Sequence, residues 1–125
     1  MKTVQFSFEK LKVWQAAREI IGSVYKLTGS FPNIEKFGLG DQLRRSVVSI
    51  ASNIAEGSGR SSIKEKIHFI EMSYGSLMEV YCQLQIAVDL GYISPNAFEA
   101  LESKIDSISK MLTGLRSVFR KQLTF

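Results

Sequence analysis

The sequence is poor in the residues from which most catalytic and metal sites are built. Its 125 residues include one histidine, His68, and one cysteine, Cys82. A single cysteine cannot form an intrachain disulfide, so nothing in the sequence indicates an oxidising compartment. No apolar run reaches the roughly 18 residues that a transmembrane helix needs, and the first ten residues lack a signal-peptide pattern. We therefore expect a cytoplasmic protein with no membrane partner.

The scarcity of histidine also argues against catalysis. A carboxylate-bridged di-metal site in a helical bundle needs the Glu-x-x-His step twice, and Glu65 to His68 supplies it once. His68 and Cys82 are fourteen residues apart in one predicted helix, which is roughly 21 Å along the axis and too far for a base and a nucleophile. A Ser-His-Asp set would need the same histidine, without a nucleophile-elbow motif. We expect no enzymatic activity, no catalytic residue, no metal ion and no cofactor.

Proline is nearly absent, which leaves long segments free to be helical. Pro32 and Pro95 both stand between segments whose apolar residues recur at spacings of three and four, the pattern of amphipathic helices. Ser62, with Glu65 three residues later, and Ser94 before Pro95 are typical helix starts. The predicted helices span residues 8–29, 39–57, 62–91 and 95–122. With short connections and no strand-like alternation, residues 1–125 are predicted to form one all-α domain, an up-down antiparallel four-helix bundle.

The stretch SIASNIAEGSGR, residues 49–60, raises the question of a phosphate-binding loop. It lacks the Lys of a Walker loop and the third glycine of a dinucleotide loop, and a helix rather than a strand precedes it. Small side chains favour a close approach by a neighbouring helix instead. The small residues are Ser46, Ser49, Ala51, Ser52 and Ala55, and Gly57 and Gly59 are predicted to end the second helix.

Polar residues on the second and third helices form a second candidate group. Asn53 and Glu56 share one side of the second helix, which is either a solvated face or part of a buried or interfacial polar network. A turn near residues 58–61 places Arg45 beside Tyr74, within reach of Glu71 or Glu79. An ion pair is the favoured role for the arginines, with anion contact on the surface as the alternative. The candidates for this group are Gln42, Arg44, Arg45, Ser49, Asn53, Glu56, Glu71 and Glu79.

The charges are distributed unevenly along the predicted bundle. The formal net charge is +4. In an up-down bundle, one end contains the start of the first helix, the turn between the second and third helices, and the end of the fourth helix. That end carries nine basic residues against Glu9, Glu56 and Glu65, a net +6. Such an end suits a phosphate backbone. The candidate nucleic-acid-binding residues are Lys10, Lys12, Arg60, Lys64, Lys66, Arg116, Arg120 and Lys121.

Three runs carry a resemblance to a known family. They are VWQAAREI at 13–20, FPNIEKFGLGDQLRRSVVSIASNIAEGSGR at 31–60 and FIEMSYGSLMEVYCQL at 69–84. The chain resembles the four-helix bundle proteins encoded within intervening sequences of large-subunit ribosomal RNA, a family that also includes the accessory variability proteins of diversity-generating retroelements. The resemblance implies a bundle that assembles into a homopentameric ring. For the retroelement branch it also implies a basic surface that engages a reverse transcriptase and nucleic acid, while most other members have no established activity.

Three functions remain open at this stage. The preferred one is a non-catalytic oligomeric module that holds RNA or DNA through charge in a ribonucleoprotein. The alternative is a protein-protein interaction scaffold, because we expect the aromatic residues to exceed what one thin core buries, so that some would lie at subunit interfaces. An enzyme acting on an anionic substrate at a subunit interface is the third. The aromatic residues are Tyr25, Phe37, Tyr74, Tyr81 and Tyr92.

Overall fold

A computed structural model describes residues 2–123 and consists of helices, with no strand within that range. The four long helices are α1 (Lys12–Thr28), α2 (Leu39–Ser58), α3 (Ile63–Asp89) and α4 (Pro95–Lys121). Two short 3-10 helices, Ser7–Lys10 and Asn33–Glu35, precede α1 and α2 respectively. The predicted all-α four-helix bundle is confirmed.

Each helix packs against the next one in the chain, and α4 packs against α1. The contact between α2 and α3 is the most extensive. These two helices run in opposite directions, because Ser49 near the middle of α2 faces Ser76 while Gln42 near its start faces Gln83. Up-down connectivity therefore brings the α2–α3 turn close to the start of α1 and the end of α4.

The start of the first helix differs from the prediction. The backbone is extended at Leu11, with φ −71° and ψ 126°, so the Ser7–Lys10 turn is separate from α1. Two contacts fold this turn back onto α1: Gln15 donates a hydrogen bond to the Glu9 carbonyl at 2.9 Å, and the rings of Phe8 and Trp14 meet edge to face at 4.9 Å. Apolar spacing alone does not distinguish a continuous helix from a helix preceded by such a turn.

The predicted starts of α3 and α4 are confirmed by the hydrogen bonds of their N-cap residues. The Ser62 and Ser94 hydroxyls each accept a hydrogen bond, at 3.1 Å, from the backbone N–H three residues later. The end of α3 comes earlier than predicted, at Asp89. There Gly91 adopts a φ of +76°, which glycine reaches without a steric penalty, and the Tyr92 N–H bonds back to the Ala87 carbonyl.

The core is a continuous apolar cluster to which all four helices contribute. Its largest fully buried apolar side chains all occupy predicted apolar positions except Val80, which the predicted spacing of the third helix did not include. They are Ile20, Val24, Leu43, Val47, Ile50, Leu77, Val80, Leu84, Ile108 and Leu112. Within residues 2–123, no helix has the length and apolar content to cross a bilayer.

Candidate functional site

Three parts of the chain meet at one end of the bundle. The Ser7 and Ser58 hydroxyls lie 3.4 Å apart, which joins the N-terminal turn to the end of α2. The Lys66 ammonium donates a hydrogen bond to the Ser58 carbonyl at 3.0 Å, and Arg120 near the end of α4 bonds to Glu71 on α3. We call this end, with the cations predicted to bind nucleic acid, the basic end. Its cations are Lys10, Lys12, Arg60, Lys64, Lys66, Arg116, Arg120 and Lys121.

Most of these cations are accessible to solvent. Lys66 and Arg116 are half-buried, and the other six are exposed. Lys10, Lys12 and Lys64 have neither an ion pair nor a side-chain hydrogen bond among the described residues. These three ammonium groups are therefore available to an anion from outside the chain.

The three arginines of the basic end do have carboxylate partners. Arg60 lies 3.7 Å from Glu56 and 3.8 Å from Glu65, and its guanidinium covers the ring of Phe69 at 4.7 Å. Arg116 and Arg120 lie 3.9 and 3.3 Å from Glu71. All these carboxylates are about half-exposed, and such exposed pairs contribute about 0–1 kcal/mol each. A phosphate could therefore replace a carboxylate at little cost.

The position of Glu71 corrects the charge expected for this end. The sequence analysis grouped Glu71 with the polar residues of the second and third helices, but the structure places it beside Arg116 and Arg120. The eight cations of the basic end, together with Lys2, thus face the four carboxylates Glu9, Glu56, Glu65 and Glu71, a net +5 instead of +6. The sequence did not predict these ion pairs, because Glu71 lies two helical turns from the start of α3 and was not assigned to this end of the bundle.

The N-terminal segment carries its own ion pair. The Glu9 carboxylate accepts hydrogen bonds from the Lys2 ammonium at 2.9 Å and from the Phe6 N–H at 2.8 Å. These two bonds, that from Lys2 first, hold the pKa of Glu9 below its ordinary value. The charge of Lys2 is therefore balanced within the segment and adds little to the field of the basic end.

A row of small and polar side chains separates α2 from α3, and we call it the polar seam. Asn53 is buried and donates hydrogen bonds to the Ser49 carbonyl at 2.9 Å and to the Ser49 hydroxyl at 3.0 Å. The Ser76 hydroxyl bonds to that of Ser49 at 2.9 Å, and buried Ser73 donates to the Ile50 carbonyl at 2.9 Å. Asn53 thus belongs to a buried polar network and not to a solvated face.

The two ends of the polar seam are more loosely bonded. Ser46 and Glu79 are 3.4 Å apart, and Gln83 and Gln42 are 3.5 Å apart. Gln83 is buried, and its Oε1 atom has no hydrogen-bond partner among residues 2–123. Ser73, Ser76 and Gln83 were not among the predicted residues. Their spacing of three and seven residues places them on one side of α3 and could have indicated a polar contact with α2.

Four candidates for the polar group lie away from the polar seam. Arg45 pairs with Asp41 at 2.9 Å on the exposed face of its own helix, and Arg44 donates to the Lys36 carbonyl at 2.8 Å. Glu56 is exposed and Glu71 belongs to the basic end. The predicted position of Arg45 beside Tyr74, near Glu71 or Glu79, is therefore wrong.

The register error has a simple cause. The predicted register of α2 against α3 assumed a hairpin that is symmetric about residues 58–61, but α2 continues to Ser58 and α3 begins at Ile63. The observed facing pairs are Ser49 with Ser76 and Ser46 with Glu79. The axial offset between two packed helices depends on side-chain fit, which a turn position does not define.

Gly57 has a different role from the predicted one. It lies inside α2, which ends at Ser58 with Gly59 as the cap residue. A Cβ atom on Gly57 would lie 2.7 Å from the Cβ of Phe69 on α3, closer than real Cβ contacts. The absence of a side chain at Gly57 therefore permits the close approach of α2 and α3. Of the predicted small residues, Ser46 and Ser49 lie at this contact, whereas Ser52 is exposed.

The opposite end of the bundle, which we call the far end, is closed by a polar contact that the sequence analysis missed. The Glu35 carboxylate accepts hydrogen bonds from the Leu39 N–H at 3.0 Å and from the Tyr92 hydroxyl at 2.8 Å. These bonds, that from Leu39 first, hold the pKa of Glu35 below its ordinary value. The hydrogen bond to Glu35 and burial raise the pKa of Tyr92, whose ring also packs against Phe31 at 5.3 Å.

The aromatic residues divide between core and surface. Tyr74, Tyr81 and Tyr92 are half-buried against the core, whereas 48% of Tyr25 and 86% of Phe37 are exposed. In the part of the chain that the structure describes, no group of His, Cys, Asp and Glu side chains is arranged to hold a metal ion.

The fold and the charge distribution define a four-helix bundle with one basic end. The sequence matches the family of 23S rRNA-intervening sequence proteins over residues 9–114. Because the match covers most of the chain, the protein belongs to this family.

A solved structure supports the fold. The chain is similar to a protein of unknown function from the S23 ribosomal protein family of Bacteroides thetaiotaomicron, with 23% sequence identity and a TM-score of 0.78. The similarity covers 84% of this chain and 95% of that one. No curated protein matches the sequence. At this identity, the similarity to the solved structure shows a common fold and nothing further about function.

Proposed function

We propose that the protein is a non-catalytic binding module whose basic end holds RNA or DNA in a ribonucleoprotein. The observation that carries this proposal is the position of Lys10, Lys12 and Lys64, which are exposed at one end without an ion-pair partner among the described residues. Each cation that neutralises a phosphate releases a condensed counterion, which favours binding at low salt.

Binding through the basic end would depend on charge more than on base sequence. Phosphate contacts position a nucleic acid without reading it, whereas sequence-specific RNA binding usually requires stacking on exposed rings. At the basic end the ring of Phe69 is covered by the guanidinium of Arg60, whereas 64% of Phe6 is exposed before the N-terminal turn. With cations outnumbering exposed rings, such a surface would hold a backbone mainly through charge.

A homopentameric ring would multiply the effect of one basic end. Two observations support an interface between copies: Met72 and Ile86 are each 41% exposed, and both lie on the outer face of α3. In a ring, the basic ends would face the same side and form a continuous cationic surface. A reverse transcriptase, as implied for the retroelement branch, would be a protein partner of such a surface. Light scattering of the purified protein would measure the number of subunits.

The proposal is tested by two matched triple variants. The first changes Lys10, Lys12 and Lys64 to Glu, and the control changes three exposed lysines elsewhere, Lys26, Lys36 and Lys104, to Glu. Both variants alter the net charge equally, and none of the six lysines has an ion pair among residues 2–123. Binding to a DNA duplex and to a structured RNA is measured across a salt series, with the oligomeric state recorded in the same samples.

We expect the basic-end variant to lose affinity and the control to retain most of it. On duplex DNA, the loss of three phosphate contacts should make the slope of log affinity against log salt less steep by about 2.7. Equal losses in both variants would show that only net charge matters and would overturn the proposal. Absence of binding by the intact parent protein at low salt would also overturn it.

A protein-protein scaffold is the second candidate function. It is favoured by the exposure of Ile34 and Phe37, at 84% and 86%, in the connection between α1 and α2. Apolar side chains so exposed and so close together suit an interface with another protein. Changing both residues to Asp should abolish a salt-insensitive protein association and leave nucleic-acid binding unchanged. A loss of nucleic-acid binding in this variant would contradict the separation of the two surfaces.

A further inference from the structure

The basic end contains a cavity whose apolar interior has no role in phosphate binding. It lies between the N-terminal turn and α2, α3 and α4, and its volume is about 200 Å³. Buried Ile54 and Ile70 line its interior, together with half-buried Leu115 and Phe119. The interior of the cavity is thus apolar and partly aromatic.

The size of the cavity suits a small organic molecule. An engineered apolar cavity of about 150 Å³ in another protein stays dry and binds benzene. A space of about 200 Å³ therefore has room for a substituted benzene ring or a branched chain of similar volume. Filling it would restore dispersion contacts that the lining side chains otherwise lack.

The mouth of the cavity is polar and carries a cation. Ser7 is exposed, and Ser58 and Lys66 are half-buried, so these three residues lie between the apolar interior and solvent. The Lys66 ammonium donates one hydrogen bond, to the Ser58 carbonyl, and has no carboxylate partner among the described residues. The hydroxyls of Ser7 and Ser58 are 3.4 Å apart, a long separation for a hydrogen bond between hydroxyls. Both the ammonium and the hydroxyls can therefore bind a further acceptor.

We propose that the cavity binds a small monoanionic carboxylic acid whose hydrocarbon part is about the size of a substituted benzene. The hydrocarbon part would fill the space lined by Ile54, Ile70, Leu115 and Phe119. The carboxylate would accept hydrogen bonds from the Lys66 ammonium and from the Ser7 or Ser58 hydroxyl. A net positive field at the mouth favours the anion over a neutral molecule of the same shape. This inference does not depend on nucleic-acid binding.

The test compares an acid with its neutral amide. 4-Fluorophenylacetate and 4-fluorophenylacetamide have nearly the same shape, and binding of each to the full chain is measured by fluorine NMR titration. We expect the acid to bind more tightly. Lys66→Gln should weaken binding of the acid by about tenfold, as expected for the loss of one charge-assisted hydrogen bond, and should change binding of the amide little.

Two control variants separate the cavity from the general field. Lys10→Gln removes the same charge at the basic end from a residue that does not line the cavity, and should weaken binding of the acid less than Lys66→Gln does. Leu115→Trp should fill the space and abolish binding of both probes. Nuclear Overhauser contacts from the bound probe to Ile70 and Phe119 locate the site without any substitution.

Several results would overturn the inference. One is failure of both probes to bind the folded parent protein, and another is equal weakening by Lys66→Gln and Lys10→Gln. Contacts from the bound probe to residues outside the cavity would have the same consequence. If Leu115→Trp does not fold, the contacts to Ile70 and Phe119 decide the location alone.

Discussion

The two ends of the bundle use their charged groups in opposite ways. At the far end, the Glu35 carboxylate is bonded to the Leu39 N–H and to the Tyr92 hydroxyl, so both oxygens are occupied within the chain. At the basic end, Lys10 and Lys64 have no ion pair among the described residues. Glu35 thus serves the fold at the far end, whereas Lys10 and Lys64 face solvent at the basic end, where cations outnumber carboxylates.

This difference separates a polar residue that stabilises the fold from the residues that our proposal assigns to binding. A carboxylate that accepts a helix N–H satisfies a donor that the helix itself leaves unpaired, so its contribution is to folding. Like charges at one end repel each other, and Lys10 and Lys64 have no partner within the described residues that offsets this repulsion. These are the residues that our proposal assigns to an external anion. The three predictions below alter one end or the other, from the largest expected effect on stability to the smallest.

The first prediction concerns the close contact of α2 and α3 at the basic end. Gly57→Ala would place a Cβ atom 2.7 Å from that of Phe69, so one helix must move. We expect the free energy of unfolding to fall by about 1–3 kcal/mol, as for other overpacked contacts. The measurement is urea denaturation.

Gly114→Ala is the matched control for this substitution. Gly114 lies inside α4, with no atom within 4 Å of the added Cβ. We expect an increase in stability of about 0.5–1 kcal/mol, because alanine favours the helix more than glycine does. A neutral or stabilising Gly57→Ala substitution would contradict the role assigned to the helix contact.

The second prediction concerns the far end and its dependence on pH. Glu35→Gln should lower the thermal unfolding midpoint at pH 7, because the neutral side chain binds the Leu39 N–H less strongly and loses an acceptor for Tyr92. The pKa of Glu35 is lowered by folding, so its contribution is present above the ordinary carboxyl range and disappears as the pH falls below about 4. The difference between parent and variant should therefore vanish in acid.

A carboxylate without such bonds provides the comparison. Glu99→Gln changes an exposed residue on α4, which has no hydrogen bond or ion pair within residues 2–123. Its unfolding midpoint at pH 7 should stay close to that of the parent. A Glu35→Gln difference that persists unchanged in acid would show that the charge of Glu35 is not its source.

The third prediction concerns Glu71, the carboxylate between Arg116 and Arg120. Glu71→Gln should change the free energy of unfolding by less than about 1 kcal/mol, because the ion pairs are exposed. It should also raise nucleic-acid affinity by about threefold at low salt, since it removes a negative charge from the basic end. Asp89→Asn removes the same charge at the end of α3 nearer the far end and should leave binding unchanged. Equal effects of the two substitutions would contradict a localised site.

Local features of the sequence predicted most of the fold. Apolar spacing defined four helices, and the caps at Ser62 and Ser94 form the predicted hydrogen bonds. These features depend on residues within a few positions of each other, and so they can be read without the tertiary structure. The break at Leu11 was missed because it depends on contacts of Phe8 and Glu9 with the following helix.

Contacts between helices were harder to predict. Glu71 was grouped with the polar residues of α2 and α3, but it lies beside Arg120, 49 residues later in the chain. The bond between Glu35 and Tyr92 spans 57 residues. Both contacts depend on the axial offset and rotation of packed helices, which differ between bundles with the same apolar pattern.

The amino-acid sequence was enough to predict four helical segments, the caps at Ser62 and Ser94, the family, and cations at the N-terminal turn, at the α2–α3 turn and near the end of α4. Only the packed bundle shows which cations are paired, where Gly57 lets α2 and α3 approach, and that a cavity lies behind Lys66. The two groups of features differ in the range of the interactions on which they depend. Helix periodicity and capping act over one or two turns, whereas pairing and cavities depend on how four rigid helices pack together.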